Sequence, residues 1–307
     1  MRKRYTYPPE NITEIEEYVL NDKAEVVDYL LTHDNYYFYD TCSFRYHMNL
    51  SAPTEVLSYY IAHDAAIIIV STVMGELASD SGILGKKEVT YIQRMYEAGI
   101  KVLLLSEEWM IDVLRECYSG IEKVNLLLSQ SVKEAIPPYS AVRDMIKSTD
   151  EFYDVFLISK SSSNSEIGYK LFEEIHKLKK ENDDLGETMI LLCVRLMFFI
   201  PSDSIKICVM SDDKGAGIQL GKLIQRISNG FKRLCLITTP KLCWVLNRKF
   251  GVEDSDVLYS LLDCISNADL VRVLCSGEYD MTPLTITVEK RELIRRITDD
   301  RTLTVFS

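Results

Sequence analysis

The chain has 307 residues, room for one large domain or two small ones, and its 47% apolar and 26% charged residues exclude a disordered polypeptide. A net charge of −11 argues against a protein that coats nucleic acid by bulk attraction. The average conceals an asymmetry: between residues 201 and 250 nine Lys or Arg stand against three Asp, so that stretch is +6 and the remainder −17.

Residues 12–31 carry apolar positions at helical spacing, with Asn21-Asp22 as a point of interruption. The aromatic run Tyr36-Tyr37-Phe38-Tyr39 predicts a buried strand ending on Asp40. A short helix is expected over 54–62, a strand buried on both faces over 65–70, and a helix from Ser71-Thr72 through Glu76. From 86 to 183 the pattern is mostly helical: helix 86–98, a short strand 101–105, a long helix 107–135 ended by Pro137-Pro138, then helices 140–158 and 166–180 around a polar loop at 159–165. This stretch reads as an insertion between two halves of a sheet domain, giving units 1–85, 86–183 and 184–307.

Gly186-Glu187-Thr188 opens an apolar helix, 189–200, which is too short for a bilayer and interrupted by Arg195. A strand over 205–210 ends on Ser211-Asp212-Asp213, and a helix over 217–228, a strand over 234–238 and a helix from Pro240 follow. Strands near 284–288 and 302–306 flank a helix at 289–297. Alternating strands and helices predict an α/β fold with a parallel sheet flanked by helices. The basic first residues lack an apolar core, so neither a secretory signal nor a membrane association is expected, and a cytoplasmic location is. The eight cysteines show no CxxC, and Cys193, Cys208, Cys235 and Cys264 lie in apolar segments. Buried reduced thiols are therefore expected, rather than zinc sites or disulfides. His33, His47, His63 and His176 read as surface or structural residues.

Four acidic positions share a context. Asp40 and Asp212-Asp213 each follow a buried strand, where open α/β sheets place their ligands, and Glu76 and Glu187 lie in the first turns of apolar helices. Like charges gathered at one sheet edge persist only with bound cations or raised pKa values, and hard oxygen donors favour Mg²⁺ or Mn²⁺. Each acid taken alone reads as a helix cap or a complement to the helix dipole; the conjunction points to a metal site. Gly215, Gly217 and Gly221 do not match a dinucleotide loop, and Leu223 after Gly221-Lys222 does not match a P-loop.

The strand-end DTC at Asp40–Cys42, VSTVMGEL at Val70–Leu77, LGET at Leu185–Thr188, VMSDDKGA at Val209–Ala216 and LCLITTPKLCWVL at Leu234–Leu246 together resemble the PIN-domain nuclease family, over residues 34–84 and 184–265. The resemblance implies a Rossmann-like sheet and metal-dependent hydrolysis of phosphodiesters, with RNA or another single-stranded nucleic acid as substrate. It further implies Asp40, Glu76, Glu187 and Asp213 as the acids, with Asp212 the near alternative to Asp213. Thr41 and Ser211 would orient the carboxylates, and Lys214, Lys222 and Arg226 would meet backbone phosphates. Members are often dimers, and an inhibitory or activating protein partner fits the toxins among them. Cys42 departs from the Ser or Thr usual at its position. The alternative reading is a PIN-like interaction or scaffold module whose acidic cluster is structural.

Overall fold

A computed structural model describes residues 7–50, 53–78, 81–179, 184–227, 230–265, 268–277, 280–300 and 302–306. The basic residues at 1–4 and the expected helix ends at Lys180 and at Ser228-Asn229 lie outside the described residues.

Five strands, β1 (Asn35–Tyr39), β2 (Ala66–Val70), β3 (Val102–Leu105), β4 (Lys206–Met210) and β5 (Leu234–Ile237), form one sheet in the order β3-β2-β1-β4-β5, all parallel. Uninterrupted apolar runs such as Ile67-Ile68-Ile69-Val70 suit a sheet covered on both faces, and all five residues of β2 are buried. The helices in chain order are α1 (Lys23–Thr32), α2 (Thr41–His47), α3 (Thr54–Ala62), α4 (Ser71–Ala78), α5 (Lys86–Glu97), α6 (Trp109–Cys117), α7 (Ile121–Ala135), α8 (Ala141–Lys147), α9 (Asp150–Phe152), α10 (Ile167–Lys177), α11 (Leu185–Met197), α12 (Lys214–Arg226), α13 (Gly230–Arg233), α14 (Thr239–Phe250), α15 (Ser255–Asp263) and α16 (Lys290–Asp299). Crossovers from β1 to β2 and from β4 to β5 run in opposite lateral directions, so the right-handed rule puts α3 and α12 on opposite faces. In keeping with this, α3 packs on α14, whereas α12 packs on α11 and α7.

The α/β class and the parallel sheet flanked by helices agree with the sequence. β3 lies in the stretch read as a helical insertion, yet it pairs with β2 through Ile67↔Val102 to Val70↔Leu105, so the sheet runs into that stretch. A second sheet, β7 (Asp280–Glu289), β6 (Leu270–Gly277) and β8 (Thr304–Phe306), is antiparallel. Strand β6 was not anticipated; it buries only alternate residues, Val273 and Cys275, so its apolar signal is half that of a covered strand.

Three expected helices divide. Residues 12–31 give two 3₁₀ turns and α1, because the backbone of Leu20 bridges to β3 beside Leu103 while the Asp22 carboxylate caps the N–H groups of Ala24 and Glu25. The long helix 107–135 breaks at Gly120, whose φ of +89° glycine adopts without strain. Residues 140–158 form α8, α9 and a π-helical turn at Tyr153–Leu157. Arg195, inside the buried α11, is neutralised by Glu134 of α7. Among the described residues no helix is long and apolar enough to cross a membrane.

The expectation of eight reduced thiols is corrected. Cys208 and Cys235 face each other in the β4–β5 register with Cα atoms 4.7 Å apart, and they form a disulfide; the other six cysteines are free. Alkylation of unfolded, unreduced protein should therefore label six thiols, and eight after reduction, as read by mass spectrometry. Eight before reduction would remove the bridge.

Candidate metal centre at the sheet switch point

Because the sheet is parallel, the residues after every strand meet at one edge: Asp40 after β1, Ser71 after β2, Glu107 after β3, Ser211 to Asp213 after β4 and Thr238-Thr239 after β5. Strand order reverses between β1 and β4, the point at which doubly wound sheets open a crevice. Asp40 stands on one side of that crevice and Asp213 on the other. Helices α4 and α11, which pack together, bring Glu76 and Glu187 to it.

Asp40 is 5% exposed. It caps α2 through the Thr41 N–H at 2.8 Å, and its second oxygen accepts from Ser211 Oγ at 2.9 Å and Cys42 Sγ at 2.7 Å. Burial raises its pKa, and these donors pull it back. Cys42 thus supplies the donor that its departure from a hydroxyl residue put in question. Thr41 orients Glu76 instead, by donating its hydroxyl to Oε2. Asp213 caps α12, accepting from the Gly215 and Ala216 N–H groups. Glu187 lies within hydrogen-bonding reach of Asp213. Burial first, then the charges of Asp213 and Asp40, push Glu187 up to about 8, so at neutral pH it keeps a proton.

The adjacent acids Asp212 and Asp213 part company. Asp212 accepts from the Thr239 N–H at 2.7 Å, the Thr239 hydroxyl at 2.6 Å and the Ser43 hydroxyl at 2.7 Å. It ties β4 to α14 and α2, whereas Asp213 faces Glu187. Behind Asp212 a buried polar chain continues from Thr239 Oγ1 to His47 Nε2 at 3.1 Å, then through His47 Nδ1 to Tyr39 and from there to Tyr91. His47 is fully buried, contrary to its surface reading, and burial lowers its pKa to about 4, so it is neutral.

Two glycines keep the edge open. A Cβ on Gly186 would come within 2.7 Å of Glu76 Oε1, and one on Gly215 within 2.9 Å of Asp213 Oδ1. Lys214 and Lys222 are exposed on α12, but Arg226 donates to the Glu134 carbonyl at the end of α7.

Three residues at this edge escaped the sequence reading. Lys179, just beyond α10, reaches Glu76 Oε1 at 2.6 Å. Glu107, wholly buried, accepts from the Ser71 hydroxyl, the Thr72 N–H and His176 Nε2 at 3.1 Å. Burial would raise Glu107 and lower His176; their mutual ion pair outweighs it, lowering Glu107 and raising His176. Glu107 follows the apolar β3 just as Asp40 follows β1, so the same strand-end rule points to it. With Glu108, this pair is the group of three among the described residues whose ligand atoms lie within 4.8 Å of one another. The four acids expected from sequence are instead linked pairwise, Glu187 with Asp213, and Asp40 with Glu76 and Glu187 by charge. Comparison with models of protein families, with curated proteins and with solved structures finds no match to this chain.

Asp212→Ala should destabilise the protein by about 1–3 kcal/mol in urea unfolding, because two buried hydroxyls and an N–H lose their acceptor; an unchanged midpoint would deny Asp212 this tie. For Glu187 the native state holds its proton up to about pH 8, whereas the unfolded chain releases it near its ordinary 4.5. Its contribution to stability is complete below pH 4.5 and is lost as pH rises towards 8. In chelator, wild type should lose more unfolding free energy between pH 5 and 8 than Glu187→Gln, and parallel profiles would contradict the retained proton.

Proposed function

We propose that the chain is a metal-dependent nuclease with a PIN-like fold, acting on RNA or another single-stranded nucleic acid. The observation that carries this reading is that Asp40 and Asp213 flank the switch point of a parallel sheet, with Glu187 within hydrogen-bonding reach of Asp213 and coupled by charge to Asp40, and Glu76 coupled by charge to Asp40. The strand order β3-β2-β1-β4-β5 and the positions of the matching stretches at strand and helix ends support this reading.

The residues fit a hard divalent cation such as Mg²⁺ or Mn²⁺. All the donors are carboxylate oxygens, the edge is held open at Gly186 and Gly215, and the proton kept by Glu187 is one a cation would replace. When bound, such an ion supplies a polarised phosphate and an activated water. Asp40, Glu187 and Asp213 would hold it. Asp40 is fixed beforehand by the Thr41 N–H, Cys42 and Ser211, and Asp213 by the first turn of α12. Asp212 serves the frame rather than the ion. Lys214 and Lys222 lie on the helix that Asp213 caps, where they would steer a phosphate backbone towards the crevice; Arg226 is committed to α7.

A scaffold reading is favoured by one observation, the ion pair that already occupies Glu76. Cleavage of end-labelled single-stranded RNA and its DNA counterpart in Mn²⁺, Mg²⁺ or chelator separates the two. The nuclease reading expects metal-dependent cleavage that falls about 100-fold or more in Asp40→Asn, with a folded variant by circular dichroism. Absence of cleavage with any metal, or equal cleavage by wild type and variant, would sink it.

A further inference from the structure

Glu107 and Glu108 follow β3 at one end of the sheet, with β2 between them and the crevice, and there they meet His176 from the last turn of α10. Each of the three offers one ligand atom, and these atoms lie within 4.8 Å of one another. That is close to the span of donors placed about 2.0–2.2 Å from a single ion. Glu107 is wholly buried, and its carboxylate is fixed in advance: Oε1 accepts from the Thr72 N–H at 2.8 Å and Oε2 from the Ser71 hydroxyl. Glu108 is aligned by the Ser106 hydroxyl, which donates to Oε1 at 2.7 Å. Its other oxygen, Oε2, is buried and has no hydrogen-bond partner. A carboxylate oxygen withdrawn from water with nothing to accept from is costly, and beside a second carboxylate and an imidazole it points to a cation. The His176 side chain is 27% exposed, so the group is closed at Glu107 and open to solvent at the imidazole. Cys193 feels both carboxylates, but burial and then their charges push its thiol up, so it stays protonated and outside the group.

We propose that Glu107, Glu108 and His176 form a metal site of their own, which takes Zn²⁺ and clamps the end of α10 to the end of β3. The choice of ion follows from the donors. Two carboxylates and an imidazole make a mixed oxygen and nitrogen set that suits Zn²⁺, whereas Mg²⁺ favours oxygen alone and the softest ions need thiolate. Three protein donors leave a fourth position for water on the exposed side. His176 Nε2 and Glu107 Oε2 are 3.1 Å apart and share one hydrogen. When the ion enters, the imidazolium proton on Nε2 leaves for solvent, Nδ1 keeps its own, and the pair is joined through the ion instead. Ser71, Thr72 and Ser106 hold the two carboxylates in register for it. Glu107 and His176 are 69 residues apart in the chain, so the ion ties the start of the helical region to its last long helix before α11. The site stands or falls apart from the nuclease reading, because it shares no residue with Asp40, Glu76, Glu187 or Asp213.

Isothermal titration of Zn²⁺ alone into the full chain carrying Asp40→Asn, which impairs the crevice, tests this without any activity assay. That parent should bind Zn²⁺, and adding Glu108→Gln or His176→Gln should weaken binding by more than the roughly 10–100-fold typical of losing a mere supporting group. Glu108→Gln leaves the Glu107–His176 contact in place, so its fold does not rest on that pair, and circular dichroism checks it. Excess Zn²⁺ should raise the thermal midpoint of the parent and leave both double variants unmoved. Co²⁺ in place of Zn²⁺ should give d–d absorption with no thiolate-to-metal band. Zn²⁺ held as tightly by a folded double variant as by the parent would overturn the proposal, as would no Zn²⁺ binding at all. A thiolate band lost on alkylation would move the ion to a cysteine, with the same result. Displacement of Zn²⁺ by Mg²⁺ would overturn the choice of ion.

Discussion

Negative charge crowded onto one edge of a sheet is the constraint to which the rest of this structure answers. Two carboxylates at about 4 Å repel by about 4 kcal/mol at an effective dielectric of about 20, and burial adds to the cost of each. At least six acids, Asp40, Glu76, Glu107, Glu187, Asp212 and Asp213, follow strands or lie in the first two turns of helices along this edge. No single device neutralises them. Asp40 and Asp213 draw on helix N-termini, Asp212 on hydroxyls and an N–H of neighbouring segments, Glu107 on an imidazole, Glu76 on an ammonium and Glu187 on a retained proton.

The devices differ in how readily they yield. Hydrogen bonds from Thr239 and Ser43 to Asp212 belong to the frame, because releasing them would strand buried donors. The proton on Glu187 is the opposite case, held only because no better positive charge is at hand. That contrast separates groups that build the crevice from groups free to work in it.

Much of the arrangement was legible because the signals were local. An aromatic or aliphatic run followed by an acid marks both a covered strand and the edge where it ends, and Asp40 and the pair Asp212-Asp213 stand at that edge. The preference for Asp213 over Asp212 came from the family resemblance; the strand-end pattern alone does not separate them, since adjacent residues in a tight turn face different neighbours, Thr239 for Asp212 and Glu187 for Asp213. Lys179 was illegible for another reason: its partner Glu76 lies 103 residues earlier, and nothing about a lysine near the end of an amphipathic helix announces a buried pair. His47 was misjudged because the short helix α2 was not anticipated, so no face could be assigned to it. Glu107 was hidden inside what looked like one long helix; the strand rule would have reached it.

His176 and Lys179 sit three residues apart near the end of α10, and each grips a carboxylate at a different place on the sheet edge, Glu107 beyond β3 and Glu76 on α4. The helical region is thus riveted to the sheet at two charged points, and it reads poorly as a detachable appendage. Excising residues 86–183 would take Glu107 away with its partner but leave Glu76 without Lys179, a loss of about 3–5 kcal/mol for a withdrawn pair broken. A shortened chain would need another cation for Glu76 or a neutral side chain in its place, so the length of this protein and the charge of its crevice are one property.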